Sequence, residues 1–144
     1  ALYLKALELY QDDFSSKRNK LFSTDKCLEE KMHILFEHVL NRQEKSACPK
    51  GCFLFNSVSS DAILIPEIKK MVFDFIADFE NQLEEQIKIA INRGEVNQNI
   101  VPKQMAGILI TYMQGLMKLC TLDYHDSKFR NQTTHFLNWA LFQK

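Results

Sequence analysis

Cys48-Pro49-Lys50-Gly51-Cys52 brings two thiols within five residues of each other, beside a lysine. Three intervening residues is not the spacing of a zinc ribbon or a thioredoxin-type motif, and no second cysteine pair accompanies it. Cys52 is expected at a helix N-terminus close to Lys50, a setting that stabilises thiolate and would suit a redox or electrophile sensor at Cys48 and Cys52. A buried packing cysteine is the plainer reading, because unpaired cysteine is among the most buried residue types. The other two thiols are Cys27 and Cys120; four cysteines in so apolar a chain are expected to stay reduced, in a cytoplasmic protein.

The remaining titratable residues offer little catalytic chemistry. His33 and His38 lie five apart, so on one helix they point about 140° apart, whereas a zinc pair wants i, i+4. His125 and His135 stand in no nucleophile or hydrolase motif. Glu29-Glu30 and Glu84-Glu85 are adjacent pairs that point in different directions, as solvated helix faces do. No enzyme activity, metal site or cofactor is expected.

The elements that hold these residues are helical. Apolar residues recur from Leu2 to about Phe14, with Leu2, Ala6, Leu9 and Tyr10 on one face, and helix is expected on to Leu21 although Ser15-Ser16-Lys17-Arg18 turns polar. Ser23-Thr24-Asp25 offers capping oxygens for a second helix, whose stripe is Leu28, Met32, Leu35, Phe36, Val39 and Leu40. A third, short helix is expected from Cys52 onwards. Pro66 and Glu67 open the longest helix, with Ile68, Val72, Phe75, Phe79, Leu83, Ile87 and Ala90 inward and Gly94 as its stop. Pro102 starts a fifth helix that is apolar nearly all round from Met105 to Met117, and a last helix is expected from Ser127.

Composition agrees with this. The 144 residues are 46% hydrophobic and 25% charged, as in a single soluble domain. Only 4 Gly and 3 Pro occur, too few for a β domain with a turn every ~8–12 residues. Lys plus Arg number 18 and Asp plus Glu number 18, so the chain lacks the net positive charge of an independent nucleic-acid binder. No window approaches the ~18 consecutive apolar residues of a membrane span, and no secretory pattern opens the chain. Ala1-Leu2-Tyr3 already lies inside a helical pattern with no N-cap, as expected of the remainder of a longer protein.

The order of these pieces resembles the C-terminal effector-binding and dimerisation domain of TetR-family transcriptional regulators, over essentially the whole chain. Ala1 to Tyr10 looks like the helix that comes after the family's DNA-binding domain. Lys50-Gly51-Cys52-Phe53-Leu54-Phe55-Asn56-Ser57 resembles the start of its sixth helix. Arg93-Gly94-Glu95-Val96 resembles the end of its seventh, and Gln114-Gly115-Leu116 a motif of its eighth. The resemblance implies an all-α fold of about six helices over residues 1–144, with a helix-turn-helix of roughly 45 to 55 residues missing before Ala1. It implies a homodimer joined by a four-helix bundle of the fifth and last helices, with Leu109, Met113, Leu116, Met117, Cys120, Phe136, Trp139 and Ala140 as the contact set, Gly107 and Gly115 allowing close approach. It also implies a cavity for a small, mainly hydrophobic effector, for which Met32, Phe36, Cys52, Phe55, Asn56, Ser59, Phe75, Phe79, Thr111 and Tyr112 are the expected lining. The function so implied is effector sensing by a repressor, with operator DNA reached only through the missing domain. A ligand-free structural dimerisation module and a thiol sensor are the alternatives.

Overall fold

Ile68, Val72, Phe75, Phe79, Leu83, Ile87 and Ala90, spaced three and four apart, are all buried on one face of a single helix, Pro66–Asn92. Proline suits the first turn of this helix because the amide it lacks has no intrahelical partner there. At the other end Gly94 takes φ 70°, and the chain reverses through a paired closure: Gly94 N–H donates to Ile91 C=O and Glu95 N–H to Ala90 C=O. That conformation strains any residue with a Cβ, which accounts for the glycine.

The computed structural model describes residues 2–44, 56–120, 122 and 128–143, with side chains at all of these except 42–44 and 59. The helices are α1 (Leu2–Phe22), α2 (Leu28–Glu44), α3 (Pro66–Asn92), α4 (Pro102–Cys120) and α5 (Lys128–Leu137), the last continued by a π turn at Asn138–Phe142. Among the described residues there is no strand, and the fold is all-α, with five α-helices where about six were expected. The expected third helix begins outside the described residues, and Asn56, the first described residue after them, is helical. Residues 52–55 lie outside the described residues, and beyond Asn56 the chain forms two short 3-10 turns, Ser57–Ser59 and Asp61–Leu64. There the Ser60 hydroxyl accepts from Ala62 N–H, the local side-chain bonding with which serine competes against regular helix.

α3 and α4 form the most extensive pairing; α2 lies against α4 and α5, and α1 rests on α2 and α3. Arg130 of α5 clamps α2, its Nε 3.0 Å from Glu37 Oε1 and its Nη2 2.7 Å from Asn41 Oδ1. The chain reversal after α3 also serves α2. Glu95 Oε1 accepts the Leu28 N–H at 2.9 Å, placing a carboxylate on the N-terminus of α2. The hydroxyls expected to cap α2 instead close α1: Ser23 donates to Asn19 C=O and Thr24 to Leu21 C=O. The buried face of α1 is Leu7, Phe14, Arg18 and Phe22, whereas Leu2 and Leu9 from the expected face are exposed.

Candidate functional site

The most unusual side chain in that interior is Arg18, which is 1% exposed. Its position explains how it came there. Arg18 stands four residues after Phe14 and four before Phe22, so helix geometry carries it onto the same buried stripe. Three aromatic rings surround the guanidinium, with their centroids 5.0 Å (Phe79), 5.8 Å (Phe75) and 6.0 Å (Phe14) from Cζ. The rings also touch one another at tilted angles, Phe14 to Phe79 at 5.5 Å and Phe14 to Phe75 at 5.6 Å. Ring quadrupoles attract a cation in this way, and the attraction strengthens as water is excluded.

Rings cover the guanidinium without accepting from its N–H groups in plane. Nη2 donates to Asp78 Oδ2 at 2.5 Å, and the Asp78 side chain is 59% exposed. Nε and Nη1 have no hydrogen-bond acceptor among the described residues. Burial holds the pKa of Arg18 below that of an ordinary arginine, with Asp78 working in the other direction. The group stays charged all the same, since arginine does not lose its proton in proteins. Leaving a buried donor unmet costs about 1–3 kcal/mol, and more when the group is charged. A cavity of about 350 Å³ is lined by Phe14, Lys17, Arg18 and Leu21 of α1 and by Ile34, Leu35 and His38 of α2. From the sequence, Arg18 belongs to a polar break. The register of the buried stripe, Leu7 to Phe14 to Arg18 to Phe22, is the signal that could have placed it inside.

The residues expected to line a ligand cavity fall into two separate groups. Phe75 and Phe79 belong to the ring cluster around Arg18, while Met32 and Phe36 are buried on α2. Phe36 meets Tyr112 edge-on at 5.8 Å, and Tyr112 stacks on Phe136 at 4.0 Å. The Tyr112 hydroxyl is 3.1 Å from Thr133 Oγ1 and accepts from Gln132 Nε2 at 3.3 Å. Thr111 is exposed and turns its hydroxyl onto Gly107 C=O at 2.8 Å. Together with Phe136, Thr111 and Tyr112 line a second, open groove of about 940 Å³ that also takes in Ile76, Glu80 and Ile108. Asn56 is exposed. Cys48, Cys52, Phe55 and the Ser59 side chain lie outside the described residues.

The expected contact set of a dimer divides by side. Leu109, Met113, Leu116, Met117 and Cys120 are buried within the chain, where they form the core face of α4. The opposite side of α4 is bare: Ile108 is 48% exposed, Leu119 is 45% exposed, and Thr111 and Gly115 lie between them. These four residues recur three, four and four apart, which makes one stripe along the helix. Trp139, 68% exposed, and the half-buried Phe136 and Ala140 stand on the neighbouring C-terminal segment. A Cβ placed on Gly115 would meet nothing within 4 Å in this chain, so intrachain packing does not require a glycine there.

Among the described residues no three His, Cys, Asp or Glu side chains come together as a metal would need. Cys27 directs its thiol to Glu30 Oε1 at 3.5 Å, and Cys120 is buried. No helix among the described residues is long and apolar enough to cross a membrane.

A family model described as "Tetracyclin repressor-like, C-terminal domain" matches residues 29–136. Among solved structures the chain is similar to a TetR transcriptional regulator from Chloroflexus aurantiacus J-10-FL, with a TM-score of 0.77 and 15% sequence identity, covering 93% of this chain and 68% of that one. At that identity the likeness is one of fold. No curated protein matches the sequence.

Proposed function

Because the chain belongs to the family of tetracyclin repressor-like C-terminal domains, we propose that it is the effector-sensing and pairing half of a transcriptional repressor. Two copies associate, a small ligand enters between the helices, and binding alters the affinity for operator DNA. The observation that carries this reading is the two-sidedness of α4. One side of that helix is core, and the other presents Ile108, Gly115 and Leu119, while Trp139 is exposed on the C-terminal segment. An apolar stripe left bare along a helix is ordinarily covered by another surface, and a two-fold pairing covers it with its own copy.

Operator contact would belong to a helix-turn-helix joined to the N-terminal side of α1. Pairing through α4 and α5 then fixes the separation of the two α1 helices, and hence of the DNA-reading units, against half-sites ~34 Å apart. The cavity between α1 and α2 suits the sensing role. A ligand there touches the helix that leads to the DNA-reading unit, and it shifts the balance between arrangements by as much as its affinities for them differ.

Replacement of both Ile108 and Leu119 by Glu tests the pairing. Sedimentation of the wild-type chain should give twice the chain mass. The double variant should sediment as a monomer with its helical circular dichroism retained, since both side chains are about half exposed. A wild-type chain that is monomeric at micromolar concentration would overturn the reading.

A further inference from the structure

We propose that the cavity between α1 and α2 is built for the carboxylate of a small amphipathic monoanion, with the Arg18 guanidinium as its anchor; the inference rests on the ligand-sensing reading and names the class of ligand. Two independent features support it. The first is Arg18 itself, buried to 1% exposure and lining the cavity, with Nε and Nη1 lacking any acceptor among the described residues. A buried guanidinium with unmet donors bonds an ionised carboxylate more strongly than any neutral group.

The second is the one-sided charge of the lining. Its basic residues are Arg18, Lys17, which is paired with Asp13 at 3.2 Å, and His38, and no acidic side chain lines the cavity. The rest of the wall is Phe14, Leu21, Ile34 and Leu35, a surface for hydrocarbon or an aromatic ring. A volume of about 350 Å³ is small for a ligand site. It holds a short apolar body with one charged end. A phosphate dianion brings more lone pairs than one partly engaged guanidinium can satisfy, so the monoanion is the better match.

Asp78 is the internal competitor. It engages Nη2 from a largely exposed position, so the buried cation has a partly hydrated counter-ion and its other donors face no acceptor among the described residues. A ligand carboxylate supplies the missing acceptors and neutralises the site. Loss of the Asp78 charge should therefore tighten binding of an anion and leave binding of a neutral molecule unchanged.

The test is a titration of the isotope-labelled chain in its native association state, monitored by amide and methyl NMR. The probes are octanoate and 1-octanol, which share a hydrocarbon chain and differ in charge. Octanoate should shift signals of α1 and α2, those of Leu21, Ile34 and Leu35 among them, and bind about tenfold or more tightly than octanol. Arg18→Met should erase that preference, and Asp78→Asn should raise octanoate affinity severalfold without moving that of octanol. Asp78 lies at the surface, so its variant keeps the question answerable if Arg18→Met fails to fold.

Octanol binding in the cavity as tightly as octanoate would overturn the anion assignment and leave ligand sensing standing. Failure of both probes to bind there would overturn the two readings together. A preference for octanoate that survives Arg18→Met, or an octanoate affinity unchanged by Asp78→Asn, would remove Arg18 from the role of anchor.

Discussion

Glu95 holds two helix ends at once. Its backbone N–H closes the C-terminus of α3 on Ala90 C=O, and its carboxylate accepts the Leu28 N–H at the start of α2. The alanine variant keeps the first bond and loses the second, together with the favourable placement of negative charge at a helix N-terminus. Glu95→Ala should cost about 1 kcal/mol, read as a lower urea midpoint with an unchanged slope; an unchanged midpoint would mean that water caps α2 equally well. Lys31 supplies a second prediction at this scale. Its ammonium donates to Phe22 C=O at 3.2 Å and Gln86 Oε1 at 2.8 Å inside the fold. Burial, helped by the charge of Arg93, pushes its pKa below the ordinary 10.5. Between the lowered value and 10.5 the unfolded chain binds more protons than the folded one, so stability rises with pH across that window. Below the window both states are protonated and the burial penalty is present in full. Lys31→Met has no such proton. The unfolding free energy of the wild type relative to this variant should therefore increase from neutral pH towards 10.5, and a flat difference would show that the ammonium is not desolvated.

At the scale of elements, legibility depends on contrast. α3 can be read almost residue by residue, because its buried stripe alternates with charged positions and its ends carry Pro66 and Gly94. α4 is equally plain as a helix, but its two sides are both apolar. The pattern therefore gives no means of telling which side meets the core, and Leu109 and Met113 go inward while Ile108 stays bare. In α1 the contrast misleads. Lys17-Arg18 reads as a solvated break, yet only Lys17 is solvated, paired with Asp13 at 3.2 Å, while Arg18 keeps the register of Phe14 and Phe22 into the interior. Ser23 and Thr24 are capping residues, as their types suggest, but at the other helix end, since a hydroxyl donates to the carbonyls behind it as readily as it accepts from amides ahead. Features that depend on three helices meeting are beyond any one helix's pattern. The ring cluster of Phe14, Phe75 and Phe79 around one guanidinium joins α1 to α3, and the cavity beside it needs α2 as well.

For the whole molecule the decisive property is what covers the outer side of α4. Ile108 and Leu119 expose apolar surface along one side of α4, Trp139 is exposed on the C-terminal segment, and Ile108 and Phe136 both line the open groove. If a second copy covers this surface, Trp139 passes from water into an apolar contact when the copies associate. The chain contains 1 Trp, so its fluorescence reports on that event alone. On dilution of the wild-type protein the emission maximum should move to longer wavelength over the same range in which the sedimenting mass falls to that of one chain. The melting temperature should rise with protein concentration over that range as well, because association stabilises only the folded form. The Ile108→Glu, Leu119→Glu variant should show long-wavelength emission and one melting temperature at every concentration. Emission that stays at long wavelength in the wild type while the mass doubles would put the pairing on another face. The bare side of α4 would then need a different partner.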